Sequence, residues 1–198
     1  MEVAVVKYNA GNVFSVKCAL KRIGVEAVVT DDVERLMRAD KVIFPGVGEA
    51  STAMDYLRSH GLDRVIADLK QPVLGICIGL QLLCRSSEEG NTRGIGVFDL
   101  DVKRFAPDQA LGLKIPHMGW NTISVVKENP LLDDKMNGAW VYYVHSYYAP
   151  VGTDTIATTE YGNGFSAALQ KNNFFATQFH PEKSGAVGEH VLKNFVEL

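Results

Sequence analysis

The first half of the chain alternates short apolar blocks with stretches of helical periodicity. Val3–Val6 is an apolar run, followed by the turn-like Tyr8-Asn9-Ala10-Gly11-Asn12. Val13, Val16, Ala19, Leu20 and Ile23 recur at helical spacing, with Asn12 placed to cap the helix and Gly24 to end it. Val25–Val29 predicts a second strand, and a short helix starts near Asp32. Lys41–Phe44 is a third strand, cut by Pro45. Glu49–Leu69 gives two helical pieces broken near Gly61. Pro72–Ile76 is a fourth apolar run, and Ile78–Ser86 has a helical pattern. This repeated order predicts parallel strands with helices on both faces. In such sheets ligands sit beyond the C-terminal strand ends, which here are Tyr8–Asn12, Pro45–Gly48 and Cys77.

The second half changes character. Val97–Lys103, Asn121–Val126, Trp140–His145, Thr155–Glu160, Phe165–Leu169 and Phe174–Phe179 predict shorter strands divided by turn signals. A last helix is expected over Val187–Val196. The added strands either extend the same sheet or form a small second one. No linker, repeat or low-complexity stretch interrupts the pattern, so one domain is expected.

Composition narrows the class. At 198 residues, a globule buries roughly 70% of its unfolded surface and needs neither disulfides nor metals to fold. The formal net charge of −3 gives no basic face for nucleic acid. No apolar run approaches the length of a membrane span. The segment Met1–Lys7 reads as a strand, not a signal peptide. Cys18, Cys77 and Cys84 are odd in number and widely spaced, which fits a reduced, cytoplasmic chain. With no CxxC pair, a structural zinc site is not expected.

Cys77 lies in Gly75-Ile76-Cys77-Ile78-Gly79, the small-residue spacing of a nucleophile elbow with Cys in place of Ser. A tight strand-to-helix turn exposes its side chain where backbone N–H groups and the helix dipole favour a thiolate. The same pattern also fits an ordinary buried thiol. Cys84 falls on the expected helix face and Cys18 in another helix, and both read as core residues. Among the histidines, His60 follows a polar helix end and His190 lies in the last helix, whereas His117 and His145 are harder to dismiss as the base. The strongest base is His180, in Phe179-His180-Pro181-Glu182-Lys183-Ser184, at the end of an apolar strand. Glu182 lies two positions on, a spacing that places both side chains on one face, where a carboxylate can hold the imidazole tautomer. Taken alone, His180 also fits a surface imidazole beside a solvated carboxylate. Pro45-Gly46-Val47-Gly48 either makes a plain turn or, with the N–H of Ile78, turns backbone donors toward an oxyanion.

These segments resemble class I (triad) glutamine amidotransferases. The elbow Gly75–Gln81 and the His-Pro-Glu segment occur in that family's order, roughly a hundred residues apart, and the likeness covers essentially the whole chain. Tyr8–Asn12, Pro45–Gly48, Pro116-His117-Met118-Gly119-Trp120-Asn121 and His180–Ser184 are similar to the glutaminase subunits of imidazole glycerol phosphate synthases within it. The resemblance implies a single glutamine amidotransferase type 1 domain over 1–198. Its α/β, flavodoxin-like fold would have a mostly parallel central sheet flanked by helices and extra antiparallel strands in the second half. It implies a Cys77–His180–Glu182 triad, an oxyanion site from Gly46, Val47, Gly48 and Ile78, and substrate contacts from Gln81 and Glu89. Further contacts would come from the backbone of His145, Ser146 and Tyr147. Ser146 stands where the family usually has Thr, which leaves a backbone contact intact. It calls for no cofactor and no metal. The implied partner is a (β/α)₈-barrel cyclase, reached through Asn12, Met118, Trp120 and Lys183. The glutaminase would be weak until that partner binds its ligand, with rotation of the Gly46–Gly48 backbone as the switch. Other readings of the same residues are a different triad glutaminase, such as the one feeding pyridoxal phosphate synthase, a non-catalytic flavodoxin-like module, and a cysteine peptidase of related fold.

Overall fold

A computed structural model describes residues 1–9, 12–106 and 112–198, so Ala10 and Gly11 of the predicted first turn lie outside the described residues. The first half follows the predicted alternation: β1 (Val3–Val6), α1 (Val13–Arg22), β2 (Ala27–Thr30), α2 (Val33–Arg38), β3 (Lys41–Phe44), α3 (Ala50–Ser59), α4 (Leu62–Asp68), β4 (Val73–Ile76) and α5 (Ile78–Leu83). Asp32 caps α2, its side chain accepting the Arg35 N–H. Asn12 precedes α1 as expected, but its side chain makes no capping bond. The second half supplies β5 (Cys84–Ser87), β6 (Thr92–Arg93), β7 (Phe98–Arg104), β8 (His117–Thr122), β9 (Ser124–Val125), β10 (Trp140–His145), β11 (Tyr147–Tyr148), β12 (Thr155–Tyr161), β13 (Asn163–Lys171), β14 (Phe174–Thr177) and α6 (Gly185–Glu197).

The main sheet has the order β2-β1-β3-β4-β14-β13-β12-β9. Its β2-β1-β3-β4-β14 part is parallel and the rest antiparallel. The late strands therefore do both things the sequence left open. Some extend the main sheet, while β10 and β8 form a separate ribbon and β11, β7, β5 and β6 a four-stranded sheet.

The parallel strands are apolar throughout because both their faces are covered. On β1, Val3 and Val5 pack toward Val16 and Leu20 of α1 and Val191 and Phe195 of α6. Ala4 and Val6 pack toward Leu36 of α2, Met54 and Leu57 of α3 and Ile66 of α4. The period-2 alternation of the strand thus feeds two separate cores.

Two cysteine expectations are corrected. The helix predicted to reach Ser86 stops at Leu83, and Cys84 opens β5 instead. Pairing of Cys84 with Phe98 and of Ser86 with Asp101 on β7 outweighs the helical pattern, and serines hold a helix weakly. Cys84 is still fully buried. Cys18 does lie in α1 but is only half-buried, on the flank of the helix.

Close packing of α5 on β3 requires a residue without a side chain at position 79. A Cβ on Gly79 would overlap the backbone carbonyl oxygen of Phe44. We predict that Gly79→Ala lowers folding stability by about 1–3 kcal/mol through overpacking, read as a reduced urea midpoint. An unchanged midpoint would refute the close approach.

Candidate active site

β4 ends at Ile76, and the chain turns into α5 through Cys77 at φ 53°, ψ −104°. Positive φ on a non-glycine residue is uncommon and strained. Here it is held from both sides. The Cys77 N–H donates to the Thr177 carbonyl of β14 at 2.7 Å, and its carbonyl accepts the Gln81 N–H at 3.2 Å. The elbow predicted from sequence is therefore present, and the side chain lines a cleft of about 350 Å³. The cleft also takes in Val47, Gly48, Ile78, Gln81, Glu89, His145, Ser146 and Tyr147. Gly46 sits behind it, where a Cβ would overlap the Ile78 side chain and crowd the Tyr8 hydroxyl. Tyr8 Oη donates to the Pro45 carbonyl at 2.5 Å, which pins the start of the Gly46–Gly48 segment.

His180 arrives beside Cys77 because β14 runs parallel to β4, with Thr177 opposite Ile76. Its Nδ1 meets Glu182 Oε1 at 2.8 Å, with both side chains buried. The contact differs from the strand geometry expected of a two-residue spacing. Pro181–Lys183 is a 3-10 turn that folds Glu182 back onto the ring. The His180 backbone is held as well, its N–H donating to Tyr142 O at 2.9 Å and its carbonyl accepting Ser184 Oγ at 2.7 Å. Burial works to lower the His180 pKa. The charges of Cys77 and Glu182 and the Glu182 hydrogen bond outweigh it and push the imidazole up to about 10. Its Nε2 is buried and has no hydrogen-bond partner among the described residues.

A second histidine pair behaves oppositely. His145 Nδ1 lies 2.7 Å from the Tyr147 carbonyl, which can only accept, so His145 carries its proton there. Its Nε2 then accepts from His117 Nδ1 at 3.0 Å. Burial, with no carboxylate facing either ring in this chain of bonds, pushes His117 down to about 4 and His145 down to about 3. His117 stacks on Tyr143 and Tyr161. This pair is therefore a neutral packing element.

Residues 5–198 match the profile described as "Glutamine amidotransferase class-I". The chain belongs to the class-I glutamine amidotransferases. Among relatives of this amidotransferase is the Bacteroides fragilis protein named imidazole glycerol phosphate synthase subunit HisH, 62% identical over 198 residues with all of both chains covered. The Salmonella typhimurium protein of the same name is 46% identical over 198 residues, again with both chains fully covered. The crystal structure of a putative GMP synthase component from Thermoplasma acidophilum superposes with a TM-score of 0.73. It covers 100% of this chain and 93% of that one at 21% identity, a likeness of fold.

The amidotransferase fold brings the expected triad and cleft residues together and sets the other group apart. Met118 and Trp120 are 63% and 52% exposed on β8, so Trp120 is not a core residue. Lys183 Nζ stands 5.7 Å from the centre of the Tyr142 ring, which itself packs against Trp120. Asn12 is half-exposed at the start of α1. Glu89 is neither free nor fully solvated: Oε2 accepts the Ala50 N–H at 2.8 Å, and burial raises its pKa.

Two polar residues beside the site carry little signal in the sequence. Tyr8 looks like part of a turn. Gln178 looks like part of an apolar strand, yet it is fully buried with its Nε2 3.6 Å from Cys77 Sγ. The one available signal is a glutamine inside Phe174–Phe179, since a buried amide is costly unless it is bonded.

The two histidine sites predict opposite pH limbs of stability. His117 and His145 lose protons on folding relative to an ordinary value of 6.5. Their contribution is complete above about 6.5 and is lost as the pH falls toward 4 and 3. His180 keeps its proton up to about 10, so its contribution is complete below 6.5 and is lost as the pH rises toward 10. Melting temperature measured against pH should flatten on the acid side in His117→Gln and on the alkaline side in His180→Gln. Parallel curves in the variants and wild type would contradict these assignments.

Proposed function

We propose that this chain is the glutamine-hydrolysing subunit of an imidazole glycerol phosphate synthase, acting through Cys77, His180 and Glu182 in a single domain. The observation that carries the reading is the strained Cys77 elbow at the cleft floor, with a buried His180–Glu182 pair delivered beside it. In the reaction, Cys77 Sγ attacks the side-chain amide carbon of glutamine and the C=O electrons move to oxygen. The N–H of Ile78 and backbone donors of the Gly46, Val47 and Gly48 segment receive that oxyanion. Such donors are worth about 3–4 kcal/mol each. The backbone at Gly48 has φ 120°, a conformation that suits glycine and supports this segment as the switch.

His180, protonated through its pairing with Cys77 and Glu182, gives its Nε2 proton to the leaving nitrogen, and ammonia departs. The same nitrogen then takes a proton from water, which attacks the thioester. Sulfur leaves as thiolate and glutamate is formed. Glu89 is the carboxylate that lines the cleft, and it receives the substrate ammonium. Gln81 offers its side-chain oxygen, because its nitrogen is already bonded to Tyr147 O and Gln178. His145, Ser146 and Tyr147 present backbone to the substrate carboxylate.

Ammonia passes to a (β/α)₈-barrel cyclase. That enzyme converts N′-[(5′-phosphoribulosyl)formimino]-5-aminoimidazole-4-carboxamide ribonucleotide (PRFAR) into imidazole glycerol phosphate and aminoimidazole carboxamide ribonucleotide, in histidine biosynthesis. Met118 and Trp120 supply an exposed aromatic and apolar docking face, flanked by Lys183 and Asn12. No described helix is long and apolar enough to cross a membrane, and three free cysteines suit a reducing cytoplasm.

A coupled assay with the cyclase barrel and PRFAR tests this. Wild type should make product from glutamine, and Cys77→Ala only from added ammonium salts. Glutamine-dependent product from Cys77→Ala would overturn the role of the thiol. Trp120→Ala should weaken the complex by about 2 kcal/mol or more, roughly thirtyfold in Kd, measured by titration calorimetry. An unaltered Kd would remove Trp120 from the interface.

A further inference from the structure

Gln178 stands against the nucleophile without belonging to the triad or lining the cleft. It lies just beyond β14, fully buried, with Nε2 3.6 Å from Cys77 Sγ. The orientation of its amide follows from its neighbours. The Tyr147 carbonyl can only accept, so the Gln81 atom 2.9 Å from it is the nitrogen. That same nitrogen lies 3.1 Å from Gln178, so the Gln178 atom facing it is the oxygen. The Gln178 nitrogen is then the end directed at sulfur. A second observation gives this bond a purpose. The Val144 carbonyl oxygen lies 3.9 Å from Sγ, a contact that suits a thiol donor and opposes a thiolate.

We infer that Gln178 is a further catalytic residue, donating its side-chain N–H to the Cys77 thiolate, and that Gln81 positions it through the bond to Tyr147 O. This rests on the glutaminase reading above. The donated hydrogen stays on Gln178 throughout, while the thiol proton goes to His180. As sulfur bonds to the substrate carbon its charge passes to the oxyanion and the Gln178 bond weakens. When the thioester is hydrolysed the charge returns to sulfur, and the bond re-forms with the departing thiolate. Gln178 therefore favours the free thiolate and its expulsion, offsetting the Val144 carbonyl.

Alkylation of the full chain by iodoacetamide across pH tests the inference without glutamine. Peptide mass spectrometry reads Cys77 separately from Cys18 and Cys84. The titratable groups facing the thiol are His180, Glu182, Tyr8 and the nearby His145 and Glu89, and all are retained in the variants. Gln178→Met, similar in size but with no donor, should move the pH midpoint of Cys77 alkylation up by about one unit and slow it roughly tenfold at neutral pH. Gln178→Glu keeps an acceptor for Gln81 but places a like charge near sulfur, so its midpoint should move further up. Gln81→Met should shift it in the same direction by less. Profiles superimposing on wild type, or a lower melting temperature with no shift in midpoint, would reduce Gln178 to a packing role and overturn the inference. If Gln178→Met does not fold, the other two variants decide. A wild-type Cys77 that resists alkylation at every pH would instead count against the glutaminase reading itself.

Discussion

The parallel pairing of β14 with β4 is the contact on which the site depends. Phe174 lies opposite Val73 and Thr177 opposite Ile76, so two strand ends from distant parts of the chain reach one sheet edge together. A one-residue slip would turn every β14 side chain to the other face. Phe175 would then leave one core and Ala176 the other, so hydrophobic burial enforces the register. The register in turn sets the Thr177 carbonyl against the Cys77 N–H, which holds the elbow in its strained conformation. The placement of His180 follows from the same pairing, with Tyr142 and Ser184 fixing the backbone after the strand ends.

Around this edge, identical side-chain types are driven to opposite states by their neighbours. His180 is buried against Cys77 and Glu182 and retains a proton. His145 is buried against a carbonyl and another imidazole and rejects one. Burial disfavours charge at both, so the sign of the shift is set by the partner. The neutral pair also has a fixed direction, because the Tyr147 carbonyl dictates which nitrogen of His145 is protonated and so which nitrogen of His117 donates. Tyr147 O receives Gln81 as well, so one carbonyl orders both the histidine pair and the amides beside the thiol.

Much of this is readable along the chain. The β1–β4 repeat is plain because strands buried on both faces have unbroken apolar runs, as at Val3–Val6 and Lys41–Phe44. The Gly75–Gly79 spacing announces a tight turn, and Gly79 does abut Phe44. What escapes is set by tertiary contact. Cys84 continues a helical pattern but is drawn into β5 by pairing with β7. Strands as short as β6 and β11 carry no period of their own. Glu182 reaches His180 by a turn that the spacing alone does not distinguish from a strand. Gln178 and Tyr8 are silent because their partners, Cys77, Gln81 and Pro45, are far away in sequence.

The late position of β14 bears on how the protein is made. Cys77 leaves the ribosome well ahead of the strand that carries Gln178 and His180, and contacts so distant in sequence form slowly. Until β14 enters between β4 and β13, Cys77 has neither His180 beside it nor the Thr177 carbonyl against its N–H. A nascent or interrupted chain therefore carries Cys77 without the neighbours that hold its positive-φ turn.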